Sequence, residues 1–102
     1  MREYLVDYDV EAEADLSKRR DWLVVNRRLE SAMEYLQMLR SEVTELSYLA
    51  GSLPKCKYRM PLLFHPTAKT LSVCHGKLTV IFHIDGEYVI VDKILPSCMI
   101  TY

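Results

Sequence analysis

The chain has little of the material from which loose or extended proteins are made. Three glycines and four prolines in 102 residues are too few for a linker-rich or low-complexity chain. No run approaches the roughly 18 consecutive apolar residues of a membrane span, and no apolar leader opens the sequence, so neither export nor insertion is expected. Three cysteines, Cys56, Cys74 and Cys98, cannot all pair within one chain, which suits the reducing cytoplasm. Neither Cys-x-x-Cys nor His-x₃-His spacing occurs, so no structural zinc is expected, and nothing points to a cofactor. A net charge of −1 excludes capture of nucleic acid by a strong overall basic field.

What is present suits one soluble domain spanning residues 1–102. Half the residues are apolar and 26% are charged. At this length a chain buries between about 60 and 68 per cent of its unfolded surface, enough for a core without staples. The charge is divided. Residues 1–50 carry seven Lys/Arg against eleven Asp/Glu, and residues 51–102 carry six against three. This split matters more than the total.

Tyr4 to Tyr8 reads as a strand. Asp9 stands at an N-cap position, with Glu11 and Glu13 in the first turn of a helix predicted from Val10 to Val25. Ala12, Leu16 and Leu23 form its apolar stripe, with Trp22 beside it. After a break near Asn26, Ala32, Leu36, Leu39, Val43 and Leu46 recur at helical spacing, with Leu29 and Met33 widening the face. Gly51 and Pro54 end this second helix. Residues 54–68 hold three prolines and read mostly as loop. Strands follow at Lys69–Cys74, Leu78–Ile84 and Glu87–Leu95, the last two joined by an Asp85-Gly86 turn. The predicted class is α+β: an N-terminal strand, an αα-hairpin, then a three-stranded antiparallel meander packed on the helices.

A two-residue Asp85-Gly86 loop would pair Phe82 with Val89, His83 with Tyr88 and Thr79 with Asp92. Leu78, Val80, Phe82, Ile84, Val89 and Val91 would then face the helices. Thr79, Ile81, His83, Tyr88, Ile90 and Asp92 would form the outer face, with Lys77 at its end.

Three stretches stand in this order: Asp9-Val10-Glu11-Ala12-Glu13-Ala14-Asp15-Leu16, then His75-Gly76-Lys77-Leu78-Thr79-Val80-Ile81-Phe82-His83-Ile84, then Asp85-Gly86 with Tyr88-Val89-Ile90-Val91-Asp92-Lys93-Ile94-Leu95. They resemble the "SPEAEEDL" opening, the "VGRYRVFYRV" strand and the last hairpin of the RelE/ParE toxin superfamily of bacterial type II toxin–antitoxin modules. The resemblance runs along essentially the whole chain. It implies a cytoplasmic toxin neutralised by a cognate antitoxin, acting on DNA gyrase in the ParE-like branch or on ribosome-bound messenger RNA in the RelE-like branch. The chain departs from the nuclease pattern. Pro96, Ser97, Cys98 and Met99 replace a basic "HGRR"-like end, Thr79 stands where nuclease members place an arginine, and Tyr102 is the remaining aromatic near the C-terminus. These departures favour the ParE-like, non-nuclease branch. The alternatives are a ribosome-dependent endonuclease and a non-toxic binding module of the same fold.

Metal-free RNA cleavage needs a base, an acid and a cation for the phosphate. His83 and Tyr88 are the candidates for the first two, against the plainer reading of sheet packing. Asp92 on the same face would repel a phosphate. Ile81 and Ile90, flanked by polar residues, suit a docking surface made with Lys77, Thr79, His83, Tyr88 and Asp92. Lys55, Lys57 and Arg59 around Tyr58 form a basic contact patch. Lys18, Arg19, Arg20, Arg27 and Arg28 read either as a second patch or as a solvated helix face.

Overall fold

The computed structural model describes residues 3–26, 28–54, 56 and 59–100. Strand β1 (Leu5–Tyr8) leads into helices α1 (Val10–Asn26), α2 (Leu29–Thr44) and the short α3 (Leu46–Leu49). A 3-10 turn at Ala50–Ser52 and a one-turn helix α4 (Arg59–Leu62) precede β2 (Lys69–Val73), β3 (Leu78–Asp85) and β4 (Tyr88–Pro96). The order and class match the sequence pattern. Helix α4 falls in the stretch read as loop, because one turn with Pro61 inside it shows no periodicity.

The helical stripes do what their spacing requires. Ala12, Leu16 and Leu23 of α1 and Ala32, Leu39 and Val43 of α2 are buried. Ala12, Leu16, Leu39 and Val43 pack with Val80, Phe82, Val89, Val91 and Ile94 on one face of the sheet. Leu29 and Met33 do not widen the buried face; they stay 62% and 46% exposed. At 3.6 residues per turn they sit roughly 60° and 100° round the helix from Ala32, beyond the edge of the contact.

The sheet order is β1-β4-β3-β2, with β1 parallel to β4 and the other pairs antiparallel. The β3–β4 loop is Gly86-Glu87, closed by Asp85 opposite Tyr88, rather than Asp85-Gly86. Gly86 takes φ +61°, and a positive-φ glycine at the first loop position is the type II′ pattern, which leaves Asp85 free to remain in the strand. Phe82 therefore pairs with Val91 instead of Val89, and His83 with Ile90 instead of Tyr88. The slip is two residues, so the apolar face still meets the helices. A bulge follows: Phe82 opposes Val91 but Ile81 opposes Lys93, which leaves Asp92 without a cross-strand partner. Thr79 consequently opposes Leu95, not Asp92.

Strand β1 ends opposite Val91, which exposes the rest of β4 along that edge. Asp15 of α1 closes it. One carboxylate oxygen accepts the Ile94 N–H at 3.0 Å and the other meets the Lys93 ammonium at 3.1 Å. Bonds to a charged partner are worth more than neutral ones, and a buried donor left alone costs its desolvation.

Leu39→Ala should cost about 2–5 kcal/mol in urea denaturation, because Leu39 is fully buried between the helices and the sheet. Asp15→Ala should cost about 1–3 kcal/mol by the same measurement, and Asp15→Asn less, since an amide oxygen can still accept from Ile94. Equal losses for the two Asp15 variants would mean that the charge, not the backbone bond, carries the effect.

Candidate functional site

The outer sheet face is covered rather than open. Residues 59–68 cross it and bring Met60, Leu62, Phe64 and Ala68 onto Ile81 and Leu95, with Ile100 joining them. Ile81 is fully buried and Thr79 nearly so, its hydroxyl sharing a 2.8 Å hydrogen bond with Ser97. Neither side chain lies open on the surface. Alternation showed correctly that Ile81 points away from the helices, but not that a second layer returns to cover it. Ile90 is half-buried. Tyr88 is 48% exposed beside the hairpin and is not opposite His83. Lys77 is exposed in the β2–β3 turn, and Arg59 is exposed at the start of α4. Lys55 and Lys57 lie outside the described residues.

What gathers on this face is a histidine cluster. His83 Nδ1 lies 2.7 Å from Asp92 Oδ2, with both side chains only 14% and 13% exposed. The His65 ring stacks on His83, with centres 3.8 Å apart and planes 1° from parallel. His65 Nδ1 in turn accepts the Thr67 N–H at 3.1 Å and lies 2.8 Å from the Thr67 hydroxyl. The backbone donor assigns a lone pair to that nitrogen and places the neutral-ring proton on Nε2. Asp92 thus orients His83 instead of merely repelling a phosphate. His65 carried no local signal in the sequence; its contact spans the chain from a loop to β3.

A carboxylate-held imidazole can act as a base through its other nitrogen. Phosphate chemistry also needs cations, and the lysines on the neighbouring strands are engaged elsewhere. Lys69 donates to the Ala50 carbonyl at 3.0 Å and Lys93 pairs with Asp15. Lys77 lies six residues from His83 along β3, about 20 Å at 3.3 Å per residue.

The other concavity lies between α1 and the ends of β3 and β4. It is a groove of about 280 Å³ walled by Leu16, Leu39, Leu78, Ile94, Leu95 and Pro96, with Asp15, Lys18, Arg19 and Trp22 also lining it. The Arg19 guanidinium lies 5.2 Å from the Trp22 ring centre and 5.4 Å from that of Tyr35, and it donates to the Tyr35 hydroxyl at 3.4 Å. Arg19 Nε is buried without a hydrogen-bond partner. Burial raises the Tyr35 phenol above its usual range, opposed by the Arg19 bond. Burial likewise raises the neighbouring Cys74 thiol. Among the described residues no group of three or more His, Cys, Asp or Glu is placed to hold a metal ion.

No family model and no curated protein matches this sequence. Among solved structures, a chain from "Chromosomal ParDE TA system from P. aeruginosa" is similar over 92% of this chain and 96% of its own, with a TM-score of 0.77 and 20% identity. The two chains share a fold. Within that fold the Asp15-Leu16 pair has a structural account: Leu16 is core and Asp15 closes the uncovered edge of β4.

His83→Ala and Asp92→Ala should each destabilise by about 1–3 kcal/mol, because each strands a mostly buried polar partner. The double variant should cost less than the sum, with a coupling between about 0.5 and 3 kcal/mol in a double-mutant cycle. Strict additivity would show that the pair contributes no bond of its own.

Proposed function

We propose that this protein is the toxin of a type II toxin–antitoxin module, kept inactive in the cytoplasm by a cognate antitoxin. The observation that carries this reading is the fold likeness, which extends over nearly all of both chains, to a chain of a ParDE system. In the ParE-like form of the reading the toxin inhibits growth by occupying DNA gyrase and does not cut RNA. A plasmid-stabilising role would follow from such a module. The surroundings of His83 support the non-nuclease form. General acid–base catalysis contributes typically about 10²–10⁴-fold, and electrostatic stabilisation is usually the larger part. His83 has an orienting carboxylate, but the lysines on the neighbouring strands are tied to Ala50 and Asp15.

A second reading is a ribosome-dependent messenger-RNA endonuclease. The His83–Asp92 pair favours it, since that pair is the arrangement a general base requires.

Regulated expression in bacteria tests both. The expected result is growth arrest with full-length transcripts, together with loss of supercoiling by purified gyrase. Reproducible cuts within reading frames, abolished by His83→Ala, would replace this reading with the endonuclease. Unchanged growth, with an antitoxin still bound, would make the protein a non-toxic binding module.

A further inference from the structure

We propose that residues 59–68 form a strap that acid releases from the outer face of the sheet, with His65 as the group that takes the proton. With His65 neutral the strap covers Ile81 and Leu95. Protonation of His65 unclasps it and bares that apolar layer. This device is independent of the toxin reading above.

The strap is lightly tied. Among the described residues, the backbone hydrogen bonds of 59–66 run within the segment or to its own end. Leu63 N–H donates to the Met60 carbonyl, Phe64 N–H to that of Pro61, and Ala68 N–H to that of His65. Pro61 and Pro66 have no N–H to give. Side chains therefore hold this stretch to the sheet: Met60, Leu62 and Phe64 on Ile81 and Leu95, and the His65 ring on His83. Leu63 points elsewhere and is 80% exposed. A segment with few buried contacts and no ladder bonds opens at far less than the global unfolding free energy.

Bonding fixes the charge state of the closed form. His65 Nδ1 accepts the Thr67 N–H at 3.1 Å, so that nitrogen holds a lone pair. A proton there would set donor against donor. The Thr67 hydroxyl, 2.8 Å away, can turn to accept it, but the backbone N–H cannot turn and loses its partner. The stack is the second constraint. Two imidazolium rings 3.8 Å apart and 1° from parallel would repel, and the one carboxylate bonded to the pair, Asp92, is 2.7 Å from His83. Asp92 and His83 both belong to the sheet and keep their bond whether the strap is down or lifted.

The other charges around the pair do not replace that missing counter-ion. Asp7 of β1 is opposite Ile90, which itself opposes His83, and Asp85 lies two residues along β3; both are exposed, where solvent screens them. Tyr88 stands opposite Asp85, and Arg59 is exposed at the start of the strap. Lys93 pairs with Asp15, and Lys69 donates to the Ala50 carbonyl. Among the described residues no carboxylate pairs with His65. The lifted strap leaves His65 in water and free to take a proton, and the closed strap does not. The form that binds the proton gains as pH falls, so closure is complete above the range in which imidazoles titrate, about pH 5–8, and is lost on descending through it. One proton changes the opening equilibrium by up to about tenfold per pH unit.

Deuterium exchange of the intact protein, corrected for the intrinsic rate at each pH, reads the release. From about pH 7.5 to about pH 5, protection of the Phe64 and Ala68 amides should fall at least about tenfold, while the amides of β3 and β4 hold within about twofold. His65→Phe keeps a flat ring on His83 without the charge and should abolish the fall. His75→Asn suits the left-handed backbone at that position (φ 56°), removes a histidine outside the strap, and should leave the fall intact. If His65→Phe does not fold, the wild type decides by NMR: the His65 ring nitrogens and the Ile81 methyl groups should titrate with the same midpoint as the loss of protection. Equal protection at both pH values, an equal fall in His65→Phe, or a His65 ring that takes its proton while residues 59–68 stay protected would each overturn the proposal. A fall shared by β3 and β4 would be global acid unfolding and would overturn it as well.

Discussion

The extra residue in β4 opposite Ile81 and Phe82 governs how the two sides of the molecule divide. Before it, Val89 and Val91 face the helices; after it, Ile94 does so in place of Lys93. An unbroken ladder would turn Lys93 and Leu95 toward the helical core and Ile94 away from it. The bulge instead sends Leu95 to the outer layer with Ile81, and leaves Asp92 free of a cross-strand partner and bonded to His83. It also coincides with the end of β1, where the backbone of β4 needs a new acceptor and finds Asp15. One inserted position thus fixes the core, the outer layer and the histidine cluster together.

Because both sheet faces are covered, chemistry and contact are displaced to the margins. Helices α1 and α2 close one side, and residues 59–68 close the other over Ile81. The His65–His83 stack joins that covering segment to β3, with Thr67 holding the His65 ring and Asp92 holding His83. The cluster therefore has a mechanical use independent of any reaction: it clasps a segment with little regular structure to the sheet. The apolar groove opens beyond α1, at the ends of β3 and β4.

Much of this was legible in the sequence, for a definite reason. Helical spacing at Ala12, Leu16, Leu23, Ala32, Leu39 and Val43 marks buried stripes because a helix has one period and few ways to present it. Strand alternation likewise sorted Val80, Phe82, Val89 and Val91 correctly onto the helix side. The failures are non-local. Nothing near Ile81 announces that Phe64 and Met60 will lie on it, so a buried residue looked like an exposed docking position. A bulge changes no residue type, so Thr79 was set opposite Asp92. His83 and Asp92 were found, but as members of an open surface; His65, which completes the cluster, belongs to a segment whose three prolines conceal its path. Lys18 and Arg19 were visible as charges, while their groove was not, because its far wall comes from residues 78 and 94–96.

The distribution of engaged and unengaged charge bears on how such a protein acts. On the sheet, Lys93 answers Asp15, Lys69 caps the Ala50 carbonyl, and Asp92 is occupied by His83. Recruiting any of these cations for a phosphate would strip a partly buried group of its partner, at a cost of the same order as the bond gained. Catalysis at His83 would therefore need cations other than Lys69 and Lys93. Among the described residues no carboxylate pairs with Lys18 or Arg19, which border a mostly apolar hollow. Asp15, which holds the edge of β4, lines the same groove as Lys18 and Arg19, so charge that holds the structure and charge without a carboxylate partner meet there.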